Sequence, residues 1–136
     1  MERIIAIKKQ LGVLFKHGKD ELLTEYDIDV IDDILSVYDG QGKSFHYDKN
    51  NVLSQSVQET LFNEKRTIIE NCLFGVDLNS KAVAICQLRL WIELLKNAYY
   101  KNEVMETLPN IDINIKSGNS SVAIPCENSK SNIPTT

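Results

Sequence analysis

The run Phe74-Gly75-Val76-Asp77-Leu78-Asn79-Ser80-Lys81-Ala82-Val83 constrains this chain more than any other stretch. A short apolar segment stops at a single carboxylate, and a long helical pattern begins at once. A strand that feeds a helix in so few residues reads as a βα turn, and βα turns build parallel sheets with crossover helices. In open parallel sheets, ligands settle beyond the carboxyl ends of the strands, where these turns gather. Asp77 therefore stands where one carboxylate can accept both hydroxyls of a ribose. The plainer reading of the same residue is a carboxylate that stabilises the start of the helix.

The helical pattern over residues 80 to 99 is the strongest element in the sequence. Placed at 100° steps, Arg89, Glu93, Lys96 and Asn97 fall in one narrow arc, while apolar residues fill roughly 220° of the circumference, interrupted only by Gln87. Such a helix is expected to be buried on more than one side, packing on a sheet and on a neighbouring layer. Trp91 and Tyr99 belong to that apolar surface and read as core. Asn79 is suited to cap the helix, because its side chain can accept from an orphan N–H of the first turn. After a polar turn at 102 to 109, Ile111, Ile113 and Ile115 alternate with Asp112, Asn114 and Lys116. That alternation predicts a strand with one wet face, at an edge of a mostly parallel sheet. It ends at Ser117-Gly118-Asn119-Ser120, and a right-handed crossover brings this end to the same rim as Asp77. Asn119 is also, by residue type, a turn residue favoured for local backbone hydrogen bonds.

Upstream, Ile4, Ile7, Leu11 and Leu14 at helical spacing predict a helix over residues 2 to 15, with Gly18 available as a stop. Residues 24 to 33 fit neither period cleanly and read as a strand or a short helix. The runs 34 to 38 and 43 to 47 flank Asp39-Gly40-Gln41-Gly42, a pattern that predicts a hairpin at those glycines. Residues 51 to 70 are helical again, with Val57, Leu61 and Ile68 on one stripe and Phe62 and Ile69 beside it. A strand over 72 to 76 follows. Residues 121 to 136 are rich in Ser, Asn, Pro and Thr and are expected to form a disordered tail.

Bulk properties exclude several classes. A net charge of -4 argues against a nucleic-acid-gripping surface within these 136 residues, because phosphate contacts need clustered Lys and Arg. Cys72, Cys86 and Cys126 lack metal or CxxC spacing, and the first two lie in apolar runs that read as core. His17 and His46 read as solvated, and Asp27, Asp29, Asp32 and Asp33 as a solvated acidic face. No window approaches the roughly 18 apolar residues that cross a bilayer, so a cytoplasmic protein is expected.

Three ordered segments carry a resemblance to a known family. They are Asn63 through Asn79, then Leu88-Arg89-Leu90-Trp91-Ile92-Glu93-Leu94-Leu95, then Leu108-Pro109 through Gly118-Asn119-Ser120. Together they resemble the adenine-specific DNA methyltransferases of restriction-modification systems, in particular the combined restriction-methylation enzymes of type II. The resemblance implies an α/β fold: part of a class I methyltransferase, a Rossmann-like doubly wound sheet, with a β-hairpin insertion. It implies S-adenosylmethionine as cofactor and double-stranded DNA as the partner of the intact enzyme. Asp77 matches the acidic residue that binds the cofactor's ribose, Leu78 the apolar residue against its adenine ring, and Asn119 the polar position that contacts the adenine edge. By this resemblance, residues 1–18 are the helix after the family's first motif, 19–50 the insertion with its hairpin, 51–120 the helix and βαβ core, and 121–136 a tail foreign to the family.

The departures are as specific. The family's glycine-rich first motif and its Asn-Pro-Pro-Tyr motif do not occur, Pro109, Pro125 and Pro134 being isolated, and the residue after Gly118-Asn119-Ser120 is Ser121 where the family usually has leucine. The chain is therefore expected to be a fragment of such an enzyme, with no methyl transfer of its own, weak or absent cofactor binding when isolated, and no catalytic residue within it. An unpaired strand edge predicts self-association. The alternative from another class is a non-catalytic interaction or regulatory module, or a remnant reading frame, whose helices dock on a partner.

Overall fold

The computed structural model describes residues 1–106, 111 and 113–119. The first helix, α1 (Glu2–Gln10), is closed by Gly12 at φ +68, where the Gly12 and Val13 amides turn back to the carbonyls of Lys9 and Lys8. This left-handed closure satisfies two carbonyls that would otherwise be orphaned. It ends the helix well short of the expected residue 15, because Gly12 rather than Gly18 supplies the stop. The buried side of α1 is Ile5 and Ala6, whereas Ile4, Ile7 and Leu11 are exposed. The helix packs on the stripe one residue away from the expected one.

The ambiguous stretch is a strand, β1 (Tyr26–Ile31), paired antiparallel with β2 (Ile34–Asp39). The turn between them is Asp32-Asp33, both residues at positive φ, the conformation that matches the twist of a two-residue hairpin. Aspartate tolerates that region better than most residues, so the hairpin forms eight residues earlier than the glycine signal suggested. The expected turn at Asp39 to Gly42 also exists, with Gly42 at φ +78, but beyond it the chain follows β2 through a bridge from Ser44 to Tyr38 and the bonds of Lys43 and Phe45 rather than as a second strand.

Helix α2 (Val52–Asn71) is capped by Asn51, whose side chain accepts from the Leu53 and Ser54 amides. It supplies both hydrophobic clusters. Val57, Leu61 and Ile68 pack with Ile5, Leu14, Leu23 and Ile28, while Phe62 and Ile69 pack with Leu94, Tyr99 and Ile113. Phe62 and Tyr99 meet edge to face with centroids 5.2 Å apart, a geometry their ring quadrupoles favour.

The remaining elements are β3 (Gly75–Asp77), α3 (Ser80–Leu95), β4 (Tyr99–Lys101), β5 (Val104–Glu106) and β6 (Ile115–Ser117). β3 pairs parallel with β6 in the register Gly75 to Ile115, Val76 to Lys116 and Asp77 to Ser117. The chain is thus α/β, with three two-stranded sheets among the described residues. Helix α3 ends at Leu95, four residues before the expected limit, and Tyr99 opens a second hairpin around Asn102 and Glu103, again at positive φ.

Two burial expectations fail. Helix α3 buries only Val83 and Leu94, leaving Ile85, Leu88, Ile92 and Leu95 exposed, because no described layer covers that side. Cys72 and Cys86 are likewise exposed free thiols rather than core. The expectation for residues 121–136, and with it Cys126, lies outside the described residues.

Candidate functional site

Residues expected to share a rim converge where β3 and β6 end. Gly118 follows β6 directly, and its amide donates to the Asp77 carbonyl oxygen at 2.9 Å, so the two strand ends are stitched together one residue before Asn119. Below the rim, Gln87 Nε2 of α3 donates to the Ile115 carbonyl at 2.8 Å, and Asn114 Nδ2 donates to the Glu70 carbonyl at 2.8 Å. These bonds fix β6 against the crossover helix on one side and the end of α2 on the other. A Cβ at Gly118 would lie 3.5 Å from Val76 Cγ1, an ordinary van der Waals contact, so this position has room for a small side chain.

Asp77 is exposed, and its Oδ1 accepts the Asn79 amide at 2.7 Å. Asn79 in turn caps α3, its Oδ1 accepting from Lys81 at 3.0 Å and Ala82 at 3.4 Å. The plain role and the binding role of Asp77 therefore coexist. One oxygen is anchored to the turn, which orients the carboxylate with its other oxygen available for polar contact. Leu78 is 75% exposed beside it, an apolar side chain standing free at the rim, and Asn119 is exposed. An oriented carboxylate next to an exposed leucine can accept adjacent hydroxyls and offer a flat aromatic ring an apolar contact. Among the described residues, no group of three His, Cys, Asp or Glu side chains is placed to hold a metal. His17, His46 and the acidic residues Asp27, Asp29, Asp32 and Asp33 are exposed and apart from this rim.

A second polar centre escaped the sequence reading. Lys65, only 2% exposed, donates to Glu93 Oε1 at 2.9 Å, and Lys96 donates to Glu93 Oε2 at 2.6 Å. Burial pushes the Glu93 carboxyl up, but the bonds from Lys96 and Lys65 outweigh it and hold the group at about 2. The available signal was positional: Lys65 falls four residues after Leu61 on the buried stripe of α2, where a lysine needs a partner.

Two comparisons find nothing: no protein-family model and no solved structure matches the chain. The sequence is, however, similar to a restriction and methylation protein of type II. The relative is a protein of Methanocaldococcus jannaschii named as a putative type II restriction enzyme and methyltransferase, 45% identical over 74 residues, which is 52% of this chain and 6% of the relative. The chain thus spans a small part of that protein's length, and the identity establishes a relationship to restriction-modification systems. No helix among the described residues is long and apolar enough to cross a membrane.

Proposed function

We propose that these residues form part of the S-adenosylmethionine site of a site-specific adenine DNA methyltransferase from a restriction-modification system. The observation that carries this reading is the parallel pairing of β3 with β6, which puts Asp77 and the Gly118-Asn119 turn side by side at the carboxyl ends of two strands. Ligands of open parallel sheets bind at such ends, and the 45% identity over 74 residues to a protein named as a putative type II restriction enzyme and methyltransferase supports an enzyme of restriction-modification type. In a class I, Rossmann-like methyltransferase, β3 and β6 would be the second and third core strands and α3 their crossover helix.

The residues present fit the cofactor. Asp77 would accept the ribose hydroxyls, Leu78 would cover one face of the adenine, and Asn119 would meet the adenine edge. When bound, S-adenosylmethionine supplies an activated methyl group for the exocyclic amine of a flipped adenine in double-stranded DNA. The residues here bind and orient; the Asn-Pro-Pro-Tyr sequence that grips the flipped base in this family does not occur among the 136 residues, so these residues alone are expected to catalyse no transfer.

Isothermal titration of the chain with S-adenosylmethionine tests the site. Saturable binding that is weakened in Asp77→Asn supports the reading, and binding indifferent to Asp77→Asn overturns it. A tritium-transfer assay on unmethylated DNA checks the second claim: turnover by this chain alone would refute it.

A further inference from the structure

The outer edge of β2 lies open along a trough that the cofactor reading leaves unused. The trough, a cavity of about 390 Å³, has Ile34, Leu35, Ser36 and Val37 of β2 along one wall and Gln58, Leu61 and Lys65 of α2 along the other. Ser44, Phe45, Tyr47, Glu93 and Lys96 also line it.

Hydrogen-bond parity shows which backbone groups face it. The two-residue turn at Asp32-Asp33 makes Ile31 and Ile34 a hydrogen-bonded pair, so Ser36 with Asp29 and Tyr38 with Asp27 are also bonded pairs. Leu35, Val37 and Asp39 must then point their N–H and C=O groups away from β1. Two bonds fix the same parity independently: Phe45 N–H donates to the Val37 carbonyl at 2.8 Å, and Asp39 N–H donates to the Lys43 carbonyl at 2.9 Å. The chain's own residues 43–45 therefore already lie antiparallel along this edge, with an isolated bridge from Ser44 to Tyr38. The chain then leaves: Ser54 Oγ holds the His46 carbonyl, and the Tyr47 hydroxyl bonds Gln55 and accepts the Tyr100 amide. Leu35 is left with an outward N–H and C=O and no backbone partner among the described residues.

We propose that this edge is a binding site for an extended polypeptide segment of a partner protein, added antiparallel to β2 at Leu35 in continuation of the ladder that 43–45 begins. The occupant is a peptide because only a backbone presents N–H and C=O at the strand repeat, and because backbone of residues 43–45 already bonds to the neighbouring stretch of this edge. Leu35, Val37 and Phe45 line the trough together with Gln58, Lys65, Glu93 and Lys96, so side chains of the guest meet apolar and polar neighbours alike.

The test follows amide hydrogen exchange in the 136-residue chain. In the free protein the Leu35 amide exchanges at least tenfold faster than those of Ser36 and Tyr38. The probe is a blocked eight-residue peptide of alternating valine and threonine. Its addition slows Leu35 exchange at least tenfold and saturably, and Leu35→Pro, which deletes the outward donor while sparing the β1 bonds, weakens binding at least tenfold. The same peptide N-methylated at alternate residues serves as a control that needs no variant to fold, and it fails to protect Leu35. Equal binding of the methylated peptide, or protection confined to other amides, overturns the proposal. So does protection of Leu35 that grows with protein concentration alone, which would give the edge to a second copy.

Discussion

Gly118 donates its amide to the carbonyl oxygen of Asp77 at 2.9 Å, so the last residue of β3 is held by its backbone from one side and by its own carboxylate, through Asn79, from the other. The carboxylate's direction is thus set before any ligand arrives. Pre-organisation of this kind lowers the ordering cost of binding.

Asp77→Asn keeps the shape and one acceptor oxygen but removes the charge. Because the side chain is exposed, stability should change by no more than about 0.5 kcal/mol. Two charged hydrogen bonds contribute roughly 1.5 to 3 kcal/mol each, so loss of the charge should weaken S-adenosylmethionine binding by about ten- to a hundredfold. Calorimetry and a thermal melt on the same sample separate the two effects. A large fall in melting temperature would assign Asp77 to the fold instead.

Asn79→Ala should behave in the opposite way. The Asn79 side chain satisfies two amides at the start of α3, and loss of such a cap costs about 1 kcal/mol. Chemical denaturation should show that loss, with Asn79→Gly losing less. Equal stability of Asn79→Ala and the parent would mean that α3 is held by packing alone.

Much of the scaffold was legible because local chemistry decided it. The apolar stripe of α2 is buried as its spacing suggested, from Val57 to Ile69, and the Asn79 cap forms as residue type suggested. The convergence of Asp77 with Gly118 followed from a strand, a helix and a strand in order. Failures arose where tertiary structure chose between local options. Leu14 is buried but outside α1, which Gly12 ends early, and the first hairpin turns at two aspartates whose positive φ no glycine announced. The exposed stripe of α3 was unreadable for a different reason. Apolar spacing states that a surface seeks cover, not where that cover resides.

The Lys65 and Glu93 pair should make the fold acid-sensitive. The Glu93 carboxyl titrates at about 2 against an ordinary 4.5, so the unfolded chain binds the proton first as pH falls. The stabilisation is fully present above about 4.5 and is lost progressively toward 2, a contribution on the order of 3 kcal/mol. Glu25 is depressed as well, chiefly by its bond from Lys16, and adds to the same acid limb. Glu93→Gln should flatten that limb and also lower stability at pH 7 by up to roughly 3 kcal/mol, because it leaves the buried Lys65 ammonium with Glu2 Oε1 at 3.9 Å as its remaining counter-charge. The double variant Lys65→Met with Glu93→Gln should recover most of the loss at pH 7. Additive losses in that cycle would show that the two groups do not act as a pair.

Ile85, Leu88, Ile92 and Leu95 recur at intervals of three and four residues and are all exposed, forming one apolar seam along α3. Seams of this spacing pair with other helices, and an exposed contiguous apolar patch drives association. The isolated 136-residue chain should therefore self-associate as its concentration rises. Leu88→Gln with Ile92→Gln should return it to a monomer in sedimentation velocity while leaving stability within about 0.5 kcal/mol, since neither side chain is buried. Arg89 flanks the seam beside Leu88. If two copies meet antiparallel through these residues, facing Arg89 side chains repel, and association should strengthen with added salt as that repulsion is screened. Association that weakens with salt would point to a charged surface elsewhere, and a compact monomer at every concentration would remove the seam as an interface.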